Sequence, residues 1–274
     1  MHSASYNISP IDLWSLIGSA AAPQIVDVRR RDFYDAAPGL LPTAVWQDAA
    51  EVDRWAGALD RARPVVVACK AGHEMSQMTT ASLRAQGFDA RMLVGGYADW
   101  SEAGLPLVTK AALDRIAPTR PSVWVTRRRP KIDRVACPWL IRRLLDAQAR
   151  ILFVDPPEVP NVAREFSAIP FDIEGIELSH EGERCSFDTM LRLFGLESEP
   201  GLARLALIVR GADTARPGLA PEAAGLHAIS LGLSVLAGDD DHGMLRQGFM
   251  VYDALYAWIR FAGDERHNWP AKVG

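Results

Sequence analysis

The segment at residues 65–76 constrains the fold more than any other part of the sequence. Three valines and Ala68 lead directly into Cys69, a loop that contains Gly72 follows, and a helical pattern begins at Ser76. A β-branched run that passes through a glycine-containing loop into a helix is typical of a parallel strand that feeds a helix N-terminus. The sequence therefore predicts a strand, a loop that starts with a cysteine, and a helix, in that order.

Cys69 is the candidate nucleophile of this segment. Backbone N–H groups at the start of a helix have no partner within the helix, and here they would point toward the sulfur. Together with the positive end of the helix dipole they lower the pKa of a thiol, so we expect a thiolate near neutral pH. The competing interpretation is a buried core cysteine at a strand end. The residues of the predicted anion-binding loop are Lys70, Ala71, Gly72, His73, Glu74, Met75 and Ser76.

Strands alternate with helices over residues 1–110, which predicts an α/β domain with a parallel sheet covered on both faces. Ser9 is the expected N-cap of the first helix, with Pro10 at its first position. Residues 111–122 are predicted to be a linker, with an extended end from Ala117 onward. The other predicted elements are strands at 24–29, 65–69 and 91–94 and helices at 49–59 and 76–86.

Residues 123–274 have mainly helical periodicity and predict a second, mainly α-helical domain of the α+β class. The helix at 221–236 is apolar nearly all round, so we expect it at the centre of the core. The other predicted elements are strands at 123–126 and 151–154 and helices at 138–145, 186–194, 202–212 and 241–261.

The composition favours a soluble protein of two domains. A chain of 274 residues with 49% hydrophobic residues can bury a large core. The net charge of −4 and a pI near 5.9 argue against a nucleic-acid partner. The apolar helix is shorter than the ~20 residues that span a bilayer, so no membrane is expected. The three cysteines show no paired spacing, and residues 1–4 show no secretory signal. Both features predict a cytoplasmic protein.

Three motifs in the first domain resemble the rhodanese (sulfurtransferase) domain. They are the strand end at 27–29, the cysteine loop, and the segment 95–100 followed by 104–106, in the family's order. The resemblance implies that Cys69 accepts a sulfane sulfur from a small anionic donor such as thiosulfate. The resulting persulfide would pass the sulfur to a nucleophile such as a thiol, and the loop amides would stabilise the charge.

The loop departs from the family's pattern of cysteine, two residues, glycine, one residue, arginine and serine. Glu74 stands where the arginine is expected, and Ser76 comes one position late. Because a glutamate repels an oxyanion, Lys70 and His73 remain as the local cations, and we expect poor thiosulfate turnover. The longer loop also resembles the phosphatase and arsenate-reductase relatives of rhodaneses, but Met75 stands where those relatives carry their arginine.

The second half resembles the C-terminal domain of ChrB-type chromate-resistance proteins along most of its length. The matching segments are 131–143, His180 with 184–187, and 208–213. The resemblance implies a role in bacterial chromate resistance, where related proteins are linked to chromate sensing and detoxification. Those regulators carry a different N-terminal region that is supposed to contact DNA. A rhodanese-like domain in its place argues against direct transcriptional control.

Cations cluster beside Cys137 in this half. Pro138 is expected at the first position of a helix, which would place Cys137 at the N-cap. A helix N-terminus with nearby guanidinium groups would favour a thiolate and attract an oxyanion. Alternatively, the arginines lie on a solvated surface and pair with Asp146 or Glu158. The candidate site residues of the second domain are Lys131, Asp133, Arg134, Cys137, Trp139 and Arg142, with Arg127, Arg128, Arg129 and Arg143 nearby.

A metal ion in the second domain is the only candidate cofactor. Ligand-type side chains occur at His180, Cys185, Asp213, His227 and His242, but their spacing matches no compact structural zinc motif. His180 and His227 are the favoured ligands. A histidine on an apolar helix, such as His227, is also typical of a hydrogen-bonded core residue.

The sequence supports two functions from different classes. The first is a rhodanese-type enzyme in which Cys69 transfers sulfur or thiol groups and the helical domain binds an oxyanion, with chromate as the candidate. The second is a non-catalytic sensor of chromate or a metal, whose rhodanese fold transmits a signal, and Glu74 favours it. A DNA-binding regulator rests only on the basic segment 127–134 and would need salt-dependent duplex binding.

Overall fold

The structure is a computed structural model that describes residues 6–263 and residue 265. Residues 1–4, on which the expected absence of a secretory signal rests, lie outside this described part of the chain. Among the described residues, no helix combines the length and the apolar character needed to cross a membrane.

A parallel sheet forms the centre of the first domain. The strands of this domain are β1 (Asn7–Ile8), β2 (Gln24–Asp27), β3 (Gly39–Leu40), β4 (Val45–Trp46), β5 (Val65–Ala68), β6 (Ala90–Leu93) and β7 (Val108–Thr109). Five of them pair in parallel in the order β1-β6-β5-β2-β4, and β3 pairs antiparallel with β7. Asp27 lies opposite Ala68 in the register of β2 and β5. The residues that follow these two strands therefore emerge at the same edge of the sheet.

The helices of the first domain are α1 (Pro10–Leu16), α2 (Arg31–Asp35), α3 (Val52–Trp55), α4 (Glu74–Ala85), α5 (Gly96–Glu102) and α6 (Lys110–Ile116). The Ser9 hydroxyl accepts a hydrogen bond from the Asp12 N–H, which confirms the predicted N-cap. Helix α4 begins at Glu74, two residues before the predicted start. Helix α6 occupies the first part of the segment predicted as a linker, whereas residues 117–122 form neither helix nor strand.

The second domain is mainly helical, as predicted, and carries a small parallel sheet. Its strands are β8 (Val123–Arg127), β9 (Arg150–Val154) and β10 (Ile169–Pro170), in the order β10-β8-β9. Its helices are α7 (Asp133–Leu140), α8 (Val159–Glu165), α9 (Ser186–Leu193), α10 (Pro200–Asp213), α11 (Ala223–Ala237) and α12 (Asp241–Phe261). A π-helical turn at Ile141–Leu145 extends α7. Short 3₁₀ turns in the chain lie at Ala49–Glu51, Ala56–Ala58, Pro156–Glu158 and Pro217–Leu219.

The prediction that the helix at 221–236 lies at the centre of the core is wrong. Helix α11 packs against α10 and α12 through a narrow stripe that includes Leu226 and Ser230, while Val235 is 80% exposed and Leu236 is 78% exposed. Because the helix is apolar on nearly every side, its sequence carries no periodicity that identifies the packed face. The structure places it at the periphery of the domain.

One continuous hydrophobic core joins the two domains. It contains Trp14 and Trp100 of the first domain, which meet edge to face, and Trp124 and Trp139 of the second domain. Backbone hydrogen bonds also cross between the domains, from the Thr109 N–H to the Phe194 carbonyl and from the Thr43 N–H to the Leu144 carbonyl. The two domains therefore pack as one body. A separate apolar cluster on the first domain's sheet includes Val26, Val67 and Cys69.

Arg260 near the end of α12 attaches the second domain to the first. Its guanidinium group donates to the carbonyl oxygens of Ile17 at 3.0 Å and Trp14 at 2.8 Å. The guanidinium carbon also lies 4.6 Å from the centroid of the Trp14 ring, a distance typical of a cation–π contact.

Substitution of Arg260→Ala should lower the free energy of unfolding by about 1–3 kcal/mol, because it leaves two carbonyl oxygens of buried residues without their donor. Arg246→Ala is the matched control on the same helix. It removes an exposed ion pair with Asp240, so the change should stay within about 0.5 kcal/mol. Urea unfolding followed by circular dichroism measures both, and equal losses in the two variants would contradict the proposed attachment.

Candidate functional site

The loop of Cys69 connects β5 to α4. The cysteine follows the last residue of β5 directly, and His73 is the N-cap residue of α4. Cys69 retains 5% of its surface exposed and belongs to the apolar cluster on the sheet. The predicted order of strand, cysteine loop and helix is therefore present, and the thiol lies at the N-terminal end of a twelve-residue helix.

Hydrogen bonds stabilise the ionised form of Cys69. Its Sγ atom lies 3.1 Å from the Ser76 hydroxyl oxygen. Burial raises the pKa of the thiol and is the largest single influence. The Ser76 hydroxyl and the backbone N–H groups of Ala71, His73 and Ser76 together outweigh burial, so the pKa of Cys69 lies below its ordinary value. The shift has the direction that the sequence predicts.

The other loop residues differ in their exposure. Gly72 and Ser76 are buried, Ala71 and Met75 are half-buried, and the remaining three are exposed: Lys70, His73 and Glu74. The Lys70 ammonium group lies 3.8 Å from the centroid of the Phe33 ring, a distance typical of a cation–π contact. Glu74 is the first residue of α4 and has no ion-pair partner among the described residues.

Two glycines pack directly against the backbone of the cysteine loop. Gly95 and Gly96 both have left-handed backbone conformations, and a Cβ atom on Gly96 would overlap the carbonyl oxygen of Cys69. The close approach lets the N–H groups of Tyr97 and Ala98 donate to the carbonyl oxygens of Cys69 at 2.8 Å and Lys70 at 2.9 Å. The motif at 95–100 thus fixes the path of the loop.

Three arginines line a cleft beside the loop, and the sequence singled out none of them as a site residue. The cleft has a volume of about 320 Å³ and is bounded by Met75 on the loop side and by Arg29, Arg30 and Arg31 after β2, and the carboxylates of Asp32 and Asp48 also line it. Arg29 is buried and its guanidinium group is held by Asp27 at 2.6 Å. A run of cations directly after a strand that pairs with the cysteine strand is the signal that could have identified this cleft.

The structure contradicts the predicted environment of Cys137. Helix α7 begins at Asp133, so Cys137 lies inside the helix and is fully buried rather than at an N-cap. Burial, followed by the charge of Asp133, raises the pKa of Cys137 well above its ordinary value. Burial likewise raises the pKa of Cys185. Pro138 misled the prediction because proline is typical of a first helical position, but here it lies within α7. Neither thiol is poised as a thiolate.

The arginines around α7 pair with carboxylates and carbonyl groups instead of surrounding a thiol. Arg127 and Arg134 both contact Oδ2 of Asp172, at 3.0 Å and 3.3 Å. The arginines therefore form ion pairs, as the alternative interpretation predicted. Their partners are Asp172, Asp155 and Asp253 rather than the predicted Asp146 and Glu158. The other contacts are Arg128 with Asp155, Arg142 with the Ala149 carbonyl, and Arg143 and Trp139 with Asp253.

Three carboxylates converge on His180 at the mouth of a second cleft. The Nε2 atom of His180 lies 3.5 Å from an oxygen of Asp133, 3.5 Å from an oxygen of Asp172 and 3.3 Å from an oxygen of Asp213. The cleft has a volume of about 400 Å³, and Lys131, Arg134 and His227 also line it. His227 is exposed on α11 and lies outside the set of converging ligand atoms. Of the two predicted metal ligands, the structure therefore brings only His180 into this set.

The charges of this cluster shift the pKa of its members. The interaction with Asp133 and the charges of Asp213 and Asp172 raise the pKa of His180 to about 9. Burial, together with the charges of Asp133 and Asp172, raises the pKa of Asp213 to about 7. Asp172, which the sequence did not single out, lies in a loop without a local motif. These shifts arise because three acidic side chains share one partly buried space.

The order of strands and the cysteine loop define a rhodanese-like first domain, joined to a helical domain with a buried acidic cluster. Residues 9–103 match the rhodanese-like domain, and residues 124–259 match the ChrB C-terminal domain. The chain therefore belongs to the proteins that carry a rhodanese-like domain followed by a ChrB C-terminal domain.

A curated relative is protein ChrB of Cupriavidus metallidurans, which is 37% identical over 134 residues. The match covers 48% of this chain and 39% of the relative, so the chain spans well under half of that protein.

Solved structures resemble the first domain, each covering under two-fifths of this chain. A rhodanese-related protein of Thermoplasma volcanium is 23% identical, with 38% of this chain and 98% of that chain covered and a TM-score of 0.34. A rhodanese-like domain protein of Staphylococcus aureus is 24% identical, with 37% and 97% covered and a TM-score of 0.33. A protein of Rhodopseudomonas palustris, described as a possible tyrosine phosphatase, is 20% identical, with 38% and 86% covered and a TM-score of 0.34.

Substitution of Gly96→Ala should lower the free energy of unfolding by about 1–3 kcal/mol through its backbone conformation, with a further loss from overlap with the Cys69 carbonyl. Gly57→Ala is the matched control, because a Cβ atom there meets open space and the backbone is not left-handed. It should change stability by no more than about 0.5 kcal/mol. Urea unfolding of the two variants measures the difference, and similar values would refute a supporting role for Gly96.

Alkylation of Cys69 by iodoacetamide should titrate with a midpoint below the ordinary thiol pKa. Ser76→Ala should move the midpoint upward and slow the reaction at neutral pH, because the thiolate loses the stabilising hydroxyl that lies 3.1 Å from its sulfur. Mass spectrometry of the labelled peptide over about pH 5 to 10 measures the rates. Cys137 and Cys185 are internal controls that should remain unlabelled in the folded protein, since both are 0% exposed whereas Cys69 retains 5%. An unchanged midpoint in Ser76→Ala would contradict this assignment.

Proposed function

We propose that the first domain is a sulfurtransferase that carries sulfane sulfur on Cys69. One observation supports this proposal above the others. The Cys69 thiol has a lowered pKa because a hydroxyl and three backbone N–H groups solvate its charge inside the protein. Such donors stabilise a thiolate and, after transfer, the charged terminal sulfur of a persulfide in the same loop. A buried cysteine with only a packing role has no need of this arrangement.

The chemical steps follow from one nucleophile. The Cys69 thiolate attacks the outer sulfur of thiosulfate, a new sulfur–sulfur bond forms, and the old one breaks as sulfite leaves with the bonding electrons. The thiolate of an acceptor then attacks the terminal sulfur of the Cys69 persulfide. The acceptor leaves as a persulfide, and Cys69 returns as a thiolate. Neither step requires a cofactor.

The anionic end of the donor would occupy the cleft beside Met75. The loop lacks the arginine of the family pattern, but Arg30 and Arg31 line this cleft from the neighbouring strand end. Arg30 is paired with Asp32 and Arg31 with Asp35, so part of their charge is already compensated. We therefore expect thiosulfate to bind weakly, and a donor of different shape or a tetrahedral oxyanion such as chromate to compete for the cleft.

We place this activity in the bacterial response to chromate, because the second half of the chain belongs to the ChrB C-terminal domain. All three cysteines are free, and free thiols persist in a reducing compartment, which supports a cytoplasmic location. The expected partners are a small anionic sulfur donor and a thiol acceptor. Nucleic acid is not an expected partner, because Arg127 and Arg134 of the basic segment share Asp172.

A second candidate function is a non-catalytic sensor in chromate resistance. Glu74 favours it, because an exposed carboxylate on the first turn of α4 opposes the approach of an anion to Cys69. In this case the cleft around His180 would receive the signal, and the shared core would transmit it to the rhodanese-like domain.

Transfer of sulfur from thiosulfate to cyanide distinguishes the two functions. Cys69→Ser should lower the rate by more than about 100-fold, because the serine hydroxyl cannot carry sulfane sulfur. Cys185→Ser is the matched control, since this buried thiol lies in the other domain, and its rate should stay within about twofold of wild type. Activity retained by Cys69→Ser would refute the sulfurtransferase. Absent activity in wild type with an unshifted Cys69 thiol would favour the sensor.

A further inference from the structure

We propose that Asp133, His180 and Asp213 bind one divalent transition-metal ion, with Asp172 as a further carboxylate at the same position. One ligand atom from each of the first three residues lies within 4.8 Å of the others. The residues come from the start of α7, the loop before α9 and the end of α10. This site goes beyond sulfur transfer and does not depend on Cys69.

The distances fit metal ligation better than hydrogen bonding. The Nε2 atom of an imidazole carries at most one hydrogen, and a hydrogen bond from nitrogen to oxygen spans about 2.7–3.2 Å. His180 Nε2 instead faces three carboxylate oxygens at 3.3–3.5 Å, none of them within that range. Ligand atoms about 2.1 Å from a tetrahedral ion lie about 3.4 Å apart. The three distances from the His180 nitrogen therefore match the spacing of neighbouring ligand atoms in a coordination shell.

The carboxylates are oriented by groups outside the cluster. Asp133 accepts hydrogen bonds from the Ser186 N–H at 2.7 Å and the Phe187 N–H at 2.9 Å, at the start of α9. Asp172 accepts from the Ser186 hydroxyl at 2.8 Å and from Arg127 at 3.0 Å. Metal ligands are commonly fixed by such outer hydrogen bonds, which hold the lone pairs toward the ion.

Charge and access both favour a cation. The three carboxylates outnumber the two guanidinium groups that contact the cluster, those of Arg127 and Arg134, although Lys131 also lines the cleft. Asp133 is 2% exposed, and the two N–H groups at the start of α9 stabilise its carboxylate in the charged form that a cation requires. The His180 side chain is 43% exposed and opens the cluster to the cleft, which gives an ion a path of entry.

The donor set identifies the class of metal. One imidazole nitrogen with carboxylate oxygens suits Mn²⁺, Fe²⁺ or Zn²⁺, whereas Ca²⁺ and Mg²⁺ prefer oxygen alone and Cu⁺ prefers sulfur. The nearby thiols each contact a carboxylate, Cys137 that of Asp133 at 3.6 Å and Cys185 that of Asp188 at 3.3 Å. Neither belongs to the set of converging ligand atoms.

Binding of Mn²⁺ to the full chain tests the proposal. Manganese chloride is added to protein freed of metal by a chelator, and the loss of the electron paramagnetic resonance signal of free Mn²⁺ reports binding. Wild type should bind one equivalent. His180→Ala and the isosteric Asp213→Asn should each weaken binding by about 10-fold or more. Mn²⁺ should also raise the melting temperature of wild type but not that of His180→Ala.

Two controls separate this site from other ligands. His227→Ala removes an exposed histidine of the same cleft, and Cys69→Ser removes the reactive thiol, so both should bind Mn²⁺ like wild type. Circular dichroism verifies that each variant is folded. Substoichiometric binding by wild type, or equal binding by the folded His180→Ala and Asp213→Asn variants, would overturn the metal site. Neither result bears on sulfur transfer by Cys69.

Discussion

The buried carboxylate of Asp133 organises the second domain. It occupies the first position of α7 and accepts two backbone hydrogen bonds at the start of α9, so one side chain joins the ends of two helices. The positive end of the α9 dipole compensates the charge. The residue before it, Ile132, has a left-handed backbone, and its carbonyl accepts a hydrogen bond from Tyr252 of α12 at 2.8 Å. Three helices thus depend on the geometry around one anion.

The same physical solution occurs in the first domain around Cys69. A negative charge that is removed from water can be solvated by the free N–H groups of a helix start. Helix α4 provides this for the sulfur of Cys69, as α9 does for Asp133. The difference lies in access, because the cysteine loop borders a cleft lined by arginines, whereas the Asp133 cluster opens through His180. The two proposals therefore assign an anionic ligand to the first domain and a cation to the second.

The correct predictions from the sequence concern features that residues close together in the chain determine. The valine run before Cys69, the glycine pair at 95–96 and the N-cap at Ser9 each act within a few residues of their own position, and the structure contains the elements they indicate. The clefts depend on contacts between distant segments. Asp172 has no sequence motif around it. It joins the acidic cluster only because the folded chain places it 3.5 Å from His180, between β10 and α9 in the sequence. Arg30 and Arg31 become site residues only through the pairing of β2 with β5.

The errors have equally specific causes. Pro138 favours a helix start, but the buried Asp133 fixes that start earlier, and tertiary contacts outweigh a local preference. Helix α11 is apolar on all sides, so composition alone could not distinguish a core helix from a peripheral one.

The continuous core across the two domains limits how this chain could have arisen. Trp14 and Trp139 share one apolar interior, and Arg260 donates hydrogen bonds to carbonyl groups of α1 and of the residue that ends it. The surfaces where the two halves meet are therefore not adapted to water. Simple exchange of modules by recombination would leave such surfaces mismatched. Substitutions on one side of the junction must therefore be compatible with the side chains on the other, as they must within a single domain.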